Sequence, residues 1–225
     1  MNEIITNYKK IINEIKNSEK RIIDQKVNLI AVSKTFPPEK IKLLLDLGHK
    51  VFGENRVQES LQKWKELKKK YLNVDLHLIG PLQTNKVKQA LELFDCIQTI
   101  DREKLVKKID EEIKVNPCYK NDKRFFIQVN TGSESQKSGL KPSEVEEFFH
   151  WCFKEKSLNI IGLMCIPPQG EQPSVHFKIL KDIAEKLELK HTSMGMSSDF
   201  IEAIENGATY VRLGSQIFGK RNNVI

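Results

Sequence analysis

Lys34 is the residue whose position most clearly suggests covalent chemistry. It directly follows the apolar run of residues 27–33, which has the composition of a buried strand. A lysine at the end of such a strand should be partly desolvated, and desolvation disfavours the ammonium form of the side chain. A neutral amine attacks carbonyl groups and can form a Schiff base. The alternative is a structural lysine whose long side chain reaches back to solvent.

Two segments rich in glycine and serine, near the end of the chain, are suited to binding an anion. They are residues 194–199 and residues 214–215, and each follows an apolar run and precedes a helical pattern. Glycine allows the backbone to approach a ligand closely, and serines at a helix start offer O–H and N–H groups to an anion. Simple helix capping is the alternative for either segment alone. Together with Lys34, the two segments favour a ligand that carries both a carbonyl and a phosphate.

Three further polar residues lie in or beside predicted strands. Arg212 precedes the second anion-binding segment, and its guanidinium can only donate hydrogen bonds; pairing with a buried carboxylate is the alternative. Asn55 follows the second apolar run and could donate to a ligand hydroxyl or hold a turn. His77 lies within the third run, and it is left out of the predicted site because lone strand histidines are more often core residues with satisfied hydrogen bonds.

The elements that must position these residues repeat along the chain. Eight short apolar runs occur, each followed by a helical pattern, and residues 1–25 before the first run form an additional amphipathic helical pattern. Strands that are apolar on both faces and alternate with helices indicate a parallel sheet, and eight units can close into a barrel. A doubly wound open sheet is the alternative. The runs cover residues 27–33, 50–53, 75–79, 96–100, 125–129, 159–165, 191–194 and 209–213.

We therefore predict one α/β domain over residues 1–225, a single (β/α)8 barrel at 27–220 with an extra N-terminal helix at 1–25. Function in such a barrel gathers where strands end and βα loops begin, which is where Lys34 and the two anion-binding segments lie. No linker, low-complexity tract or second domain is evident in the 225 residues.

Composition excludes several classes of protein. The net charge is +7, but most lysines alternate with glutamates in helical patterns, so we interpret the charge as a solvated surface and predict no nucleic-acid binding. The four cysteines form no CxxC pair and predict no metal site. No signal peptide and no apolar run of about 18 residues is present, so we expect a cytoplasmic protein with no membrane contact. No heptad or apolar stripe stands out, and a monomer or a weak homo-oligomer is expected.

Ordered segments along nearly the whole chain resemble the pyridoxal phosphate homeostasis family, whose barrel is related to the N-terminal domain of alanine racemase. Each segment alone is modest, but the ordered set is specific. The matching segments are residues 31–35 (AVSKT), 52–55 (FGEN), 77–86 (HLIGPLQTNK), 128–130 (QVN), 137–139 (KSG), 162–164 (GLM), 193–197 (SMGMS) and 211–214 (VRLG). The resemblance implies a pyridoxal 5′-phosphate barrel of the type called fold type III.

The resemblance also implies roles for six residues. Lys34 would hold the cofactor as a Schiff base, Arg212 would lie beside the pyridine nitrogen, and Asn55 would lie near the ring. The phosphate would be held by Ser197, Gly214 and Ser215. Two positions depart from the family's usual pattern: Ser215 replaces a frequent threonine but keeps the hydroxyl, and Arg56 replaces a common aromatic residue.

The resulting expectation is a protein that stores, protects or delivers pyridoxal 5′-phosphate without substantial turnover, with apo-enzymes that accept the cofactor as candidate partners. An arginine cannot accept a hydrogen bond from a protonated ring nitrogen. The nitrogen should therefore stay unprotonated, and the ring should be a weak electron sink. Racemases that resemble this barrel add a second acid/base from another domain, and this chain ends at Ile225, directly after the predicted barrel. A cofactor-dependent amino-acid racemase is the first alternative, and a cofactor-free lyase of the aldolase type is the second.

Overall fold

Eight parallel strands close into a barrel in sequence order, so that the last strand pairs with the first. The computed structural model of the chain describes residues 2–22, 26–132, 134, 136–156 and 158–219. The strands are β1 (Asn28–Val32), β2 (Val51–Glu54), β3 (Asp75–Leu78), β4 (Cys96–Ile100), β5 (Arg124–Val129), β6 (Ile160–Cys165), β7 (His191–Ser193) and β8 (Tyr210–Leu213). The predicted barrel is therefore confirmed, and the open-sheet alternative is wrong.

Helices follow the strands and cover the outside of the barrel. They are α1 (Glu3–Glu19), α2 (Pro38–Asp46), α3 (Val57–Lys70), α4 (Val87–Leu93), α5 (Glu103–Val115), α6 (Tyr119–Asp122), α7 (Val145–Lys156), α8 (Pro173–Lys186), α9 (Phe200–Glu205) and α10 (Ser215–Phe218). Short 3-10 turns at Thr84–Lys86 and Pro142–Glu144 precede α4 and α7. The extra N-terminal helix is present as α1, while residues 1, 23–25, 133, 135, 157 and 220–225 of the predicted ranges lie outside the described residues.

Local sequence explains how a representative helix begins and ends. In α2 the first helical residue is Pro38, a position where the missing N–H costs nothing. The helix stops before Gly48, whose φ of +84° suits glycine. Its buried face consists of Ile41, Leu44 and Leu45, spaced so that they lie on one side of the helix and pack against the sheet.

Two apolar layers hold the barrel together. The larger layer lies between the sheet and the helices, and the smaller one fills the barrel interior. The interior layer consists of Ile30, Val32, Cys96, Phe126, Met164 and Tyr210. The interior is therefore a packed core, and open space for a ligand is found at one end. We call that end the mouth: it is where the carboxyl ends of the strands and the βα loops lie.

Candidate functional site at the barrel mouth

Lys34 lies at the mouth, half-buried, in the turn that follows β1. Because β1 pairs with β8, this turn is next to the loop that leads from β8 into α10. The two approach closely: a Cβ atom on Gly214 would lie 3.1 Å from the carbonyl oxygen of Val32. The closed sheet thus brings together Lys34 and the Gly214–Ser215 segment, which the sequence analysis predicted to share a site.

A group of buried and half-buried side chains on the outer side of the sheet fixes the backbone on the N-terminal side of Lys34. We call it the outer cluster: Ser33, Glu54, Glu59, Lys63 and Trp64. The fully buried Glu54 carboxylate accepts hydrogen bonds from the Ser33 hydroxyl at 2.7 Å and from the Trp64 indole at 3.0 Å. The Lys63 ammonium donates to Glu54 Oε2 at 3.0 Å and to the Ser33 carbonyl at 3.0 Å.

The outer cluster also holds the residue after Lys34. Thr35 has a φ of +67°, a left-handed conformation that non-glycine residues rarely adopt. Its N–H donates to Glu59 Oε1 at 2.6 Å, and the same carboxylate oxygen accepts from Lys63 at 2.8 Å. Such a conformation persists where the surroundings impose it. Lys34 is therefore anchored by charged partners of the residues on both sides of it.

The two predicted anion-binding segments meet across the β7 and β8 ends. The Ser215 hydroxyl donates to the Ser197 hydroxyl oxygen at 3.2 Å, and the Gln216 amide donates to the Ser197 carbonyl at 2.5 Å. Gly214 is the N-cap residue of α10, so the first N–H groups of that helix have no partner within the helix. Hydroxyl and N–H donors thus converge at one position of the mouth.

The segment after β7 differs in one detail from the prediction. The serines of residues 194–199 were expected to cap the helix that follows, but α9 begins only at Phe200. Asp199 occupies the N-cap position, and its carboxylate accepts from the Met196 N–H at 2.6 Å, which holds residues 196–199 in a turn. The Ser197 hydroxyl is consequently free of a capping role and contacts Ser215.

Arg212 is buried inside the barrel, on β8, with 4% of its surface exposed. Its Nη1 donates to the Ser193 hydroxyl oxygen at 2.8 Å and its Nη2 to the Cys165 carbonyl at 2.8 Å. Burial lowers the pKa of the guanidinium from its ordinary value, which is high enough that the group still keeps its charge. Both partners are neutral oxygens, as expected for an arginine that only donates hydrogen bonds. The alternative, a pair with a buried carboxylate, is not what the structure shows.

Asn55 follows β2 and is half-buried at the mouth. Gly80 lets the Asn55 backbone approach closely, because a Cβ atom at Gly80 would lie only 2.2 Å from the Asn55 carbonyl oxygen. Asn55 lines a cavity of about 310 Å³ together with Gln128, Asn130 and other residues of the neighbouring loops. Arg56, the departure from the family pattern, is exposed at the start of α3.

Sequence reasoning missed the residues that support this site. Glu54 lies within a segment quoted for the resemblance, but nothing in the pattern connected it to Lys63 or Trp64 on α3. Gln98 and Ser193, which stand between Arg212 and the rest of the interior, were also missed. The one available signal was a polar residue within an otherwise apolar strand, and His77 showed the same signal: it is fully buried and its Nδ1 contacts Gln98 at 2.8 Å.

The donor set suits a phosphorylated aldehyde with an aromatic ring nitrogen. A half-buried amine, two hydroxyls at a helix start and a buried arginine are present at the mouth, as described above. Among the residues that the structure describes, no three His, Cys, Asp or Glu side chains are grouped as metal ligands. In the same residues, no helix is long and apolar enough to cross a membrane.

The comparison with protein families decides the relationship. The family described as alanine racemase, N-terminal domain, matches residues 6–222. The chain belongs to this family. The resemblance inferred from the sequence is therefore confirmed.

Several relatives carry one name, pyridoxal phosphate homeostasis protein. The relative from Aquifex aeolicus is 40% identical, and the match covers 86% of each chain. The relative from Vibrio alginolyticus is 36% identical, and the match covers 99% of each.

Solved structures agree with this relationship. PipY of Synechococcus elongatus without PLP has a TM-score of 0.79 at 32% identity, with 91% of this chain and 100% of that chain covered. PipY has also been solved with PLP bound, and that structure has a TM-score of 0.74 at 29% identity. An alanine racemase from Clostridium difficile shares the fold at 15% identity with a TM-score of 0.72, and the match covers 57% of that chain.

Proposed function

We propose that this chain is a pyridoxal 5′-phosphate-binding protein of cofactor homeostasis. The observation that carries the proposal is the meeting of Lys34, at the end of β1, with the donors of Ser197, Gly214 and Ser215 at the ends of β7 and β8. The names of the relatives and the PLP-bound PipY structure support the same ligand.

Each residue of the site has a distinct task in this proposal. The amine of Lys34 binds the aldehyde carbon of the ligand covalently. The hydroxyls of Ser197 and Ser215, with the N–H groups at the start of α10 after Gly214, bind the phosphate. Arg212 donates to the pyridine nitrogen, and Asn55 borders the ring.

Arg212 is the reason to propose holding of the cofactor without substantial turnover. When bound, the cofactor can supply an electron sink for reactions at the α-carbon of amino acids, and the sink is strong when the ring nitrogen is protonated. A guanidinium only donates hydrogen bonds, so it keeps that nitrogen in its unprotonated form. Decarboxylase and transaminase chemistry, which needs a strong electron sink, is therefore disfavoured, and binding is proposed as the role of this site.

The cellular setting follows from the same chemistry. All four cysteines are free thiols, which is typical of cytoplasmic proteins, where thiols are kept reduced. We place the protein in the cytoplasm as a monomer or weak homo-oligomer that passes the cofactor to apo-enzymes. The half-buried position of Lys34 at an open mouth supports transfer, because an acceptor amine can reach the same carbon.

Borohydride reduction tests covalent binding directly. The parent protein, mixed with pyridoxal 5′-phosphate and reduced, should carry the cofactor on Lys34, as located by peptide mass spectrometry. Lys34→Ala should carry none, while Lys40→Ala, a substitution on the neighbouring helix α2, should behave as the parent does. A Lys34→Ala protein that still yields a reduced adduct at the mouth would refute the assignment.

Heavy water distinguishes holding from turnover. The loaded protein is incubated with a panel of free amino acids in D2O, and exchange of the α-proton is followed by NMR. We expect no exchange above that of free cofactor. Exchange that requires both the protein and Lys34 would favour the racemase alternative.

A further inference from the structure

A line of polar side chains in contact with one another runs through the barrel interior and ends at Arg212. We call it the inner chain: Asp75, His77, Gln98, Ser193 and Arg212. Its contacts are Arg212 Nη1 to Ser193 Oγ at 2.8 Å, Ser193 Oγ to Gln98 Oε1 at 2.7 Å, and Gln98 Nε2 to His77 Nδ1 at 2.8 Å. The three central side chains are fully buried.

The inner chain has a direction, because each member uses its donor toward the next. Arg212 can only donate, so the Ser193 oxygen accepts, and the Ser193 hydroxyl proton points to Gln98 Oε1. The Gln98 amide then donates to His77, which requires a lone pair on Nδ1 and places the imidazole proton on Nε2.

The far end of the chain stabilises this tautomer. His77 Nε2 lies 3.1 Å from Asp75 Oδ1, close in distance though not aligned as a full hydrogen bond. Burial alone would raise the pKa of Asp75, but His77 and the neighbouring Arg124 outweigh it and lower that pKa to about 2. A carboxylate that stays ionised holds the proton on Nε2 and leaves Nδ1 as the acceptor.

The opposite tautomer would disturb the contact with Arg212. With its proton on Nδ1, His77 would donate to Gln98, and the carboxamide would have to turn its oxygen toward His77. Its NH2 group would then face the Ser193 oxygen that already accepts from Arg212. Ser193 would receive two donors and its own proton would lose its acceptor, so the state of His77 decides whether Arg212 shares the Ser193 oxygen with a second donor.

We propose that Gln98 and His77 are positioning residues that hold the Arg212 guanidinium in the orientation that serves the bound cofactor. This inference rests on the proposed function, since Arg212 is taken to meet the pyridine nitrogen. Neither residue touches the ligand in this proposal; both act through Ser193.

The first test reads the tautomer without any cofactor. In protein labelled with ¹⁵N-histidine, the imidazole signals of neutral Nε2–H and Nδ1–H forms differ clearly, and the His77 signal is the one absent from His77→Asn. We expect the Nε2–H form at neutral pH. An Nδ1–H form would overturn the proposed direction of the chain.

The second test uses substitutions that separate positioning from packing. Asparagine places its side-chain oxygen near the position of Nδ1 and can still accept from Gln98, whereas leucine cannot. His77→Leu should therefore shift the absorbance maximum of the bound cofactor and speed its release about tenfold, the effect of losing one buried hydrogen bond. His77→Asn should stay within about twofold of the parent. Gln98→Met should resemble His77→Leu.

Phe126→Leu is the matched control, since Phe126 is fully buried in the same interior and its ring packs on Tyr210 and His191, neither of which belongs to the inner chain. It should lower stability without changing the spectrum. If His77→Leu does not fold, Gln98→Met and His77→Asn make the same comparison.

Variants that lose stability but keep the parent's spectrum and release rate would refute the proposal that Gln98 and His77 position Arg212, and would show that the two residues only pack in the core. A parent protein that binds no reducible cofactor would instead refute the proposed function itself.

Discussion

The outer cluster and the inner chain hold two residues of one site by opposite means. In the outer cluster, Lys63 contacts the carboxylates of Glu54 at 3.0 Å and Glu59 at 2.8 Å, and it donates to the backbone beside Lys34 at 3.0 Å. In the inner chain, the residues between Asp75 and Arg212 are a hydroxyl, an amide and an imidazole. One network is compact and ionic; the other is long and built around neutral groups.

The difference follows from what each network must hold. Lys34 needs its backbone fixed, including the left-handed Thr35, and short ionic contacts to main-chain atoms can impose a conformation. The guanidinium of Arg212 must be held in one orientation. A line of neutral groups, each donating a hydrogen bond to the next, can do this without burying further charges. Burying unpaired charges is costly, so a charged network that spanned the whole barrel would be less stable than this one.

The largest expected effect breaks the outer cluster. Lys63→Met leaves the buried Glu54 carboxylate without its cation, and such a loss costs about 3–5 kcal/mol of unfolding free energy. Urea denaturation measures it, and Lys65→Met, an exposed lysine on the same helix, is the control. A loss below about 1 kcal/mol would show that the buried ion pair stabilises the fold no more than an exposed surface pair does.

A smaller, pH-dependent effect is expected at the far end of the inner chain. The pKa of Asp75 lies at about 2 in the fold against an ordinary 3.8, so its ionised form stabilises the fold. Because the folded value is the lower one, this contribution is complete above about pH 5 and is lost as the pH falls through 2. Asp75→Asn should cost about 2 kcal/mol at pH 7.

The difference between this variant and the parent should shrink as unfolding is measured from pH 5 down to pH 2. A difference that stays constant over that range would show that Asp75 contributes by shape alone, and the inner chain would then have no ionic end.

The smallest effect belongs to the phosphate segment, which neither network reaches. Ser215→Thr keeps the hydroxyl that meets Ser197, so cofactor affinity should stay within about twofold, while Ser215→Ala should weaken it about tenfold. Fluorescence titration with pyridoxal 5′-phosphate gives both values, and neither change should alter stability, since Ser215 is exposed. Equal affinity in all three proteins would remove Ser215 from the site.

The fold was predictable because strands buried on both faces leave a continuous apolar run. Even the three-residue β7 was recognised, although its run was weak. Closure of the barrel followed from the count of eight, and the barrel in turn predicted that Lys34 and the two anion-binding segments would lie at the same rim. These inferences needed only local composition and the parallel order of the strands.

The supporting networks were not predictable, because they depend on register. Gln98 and Ser193 lie 95 residues apart, and only the closed barrel places them 2.7 Å from each other. Polar residues inside apolar strands were visible in the sequence, but the face of the sheet on which each one lies was not. Glu54 and Lys63 likewise needed the packing of α3 against β2 before they could be joined.

The pairing of β1 with β8 also bears on how the protein is made. Lys34 is synthesised early and Ser215 late, and α1 reaches the other end of the described chain, where Asn7 donates to the Ile217 carbonyl at 3.4 Å across 210 residues. A nascent chain on the ribosome has the amine long before it has the phosphate donors. In the proposed function, the ligand is therefore bound only after the last strand has closed the barrel, and binding stabilises the finished fold instead of directing its formation.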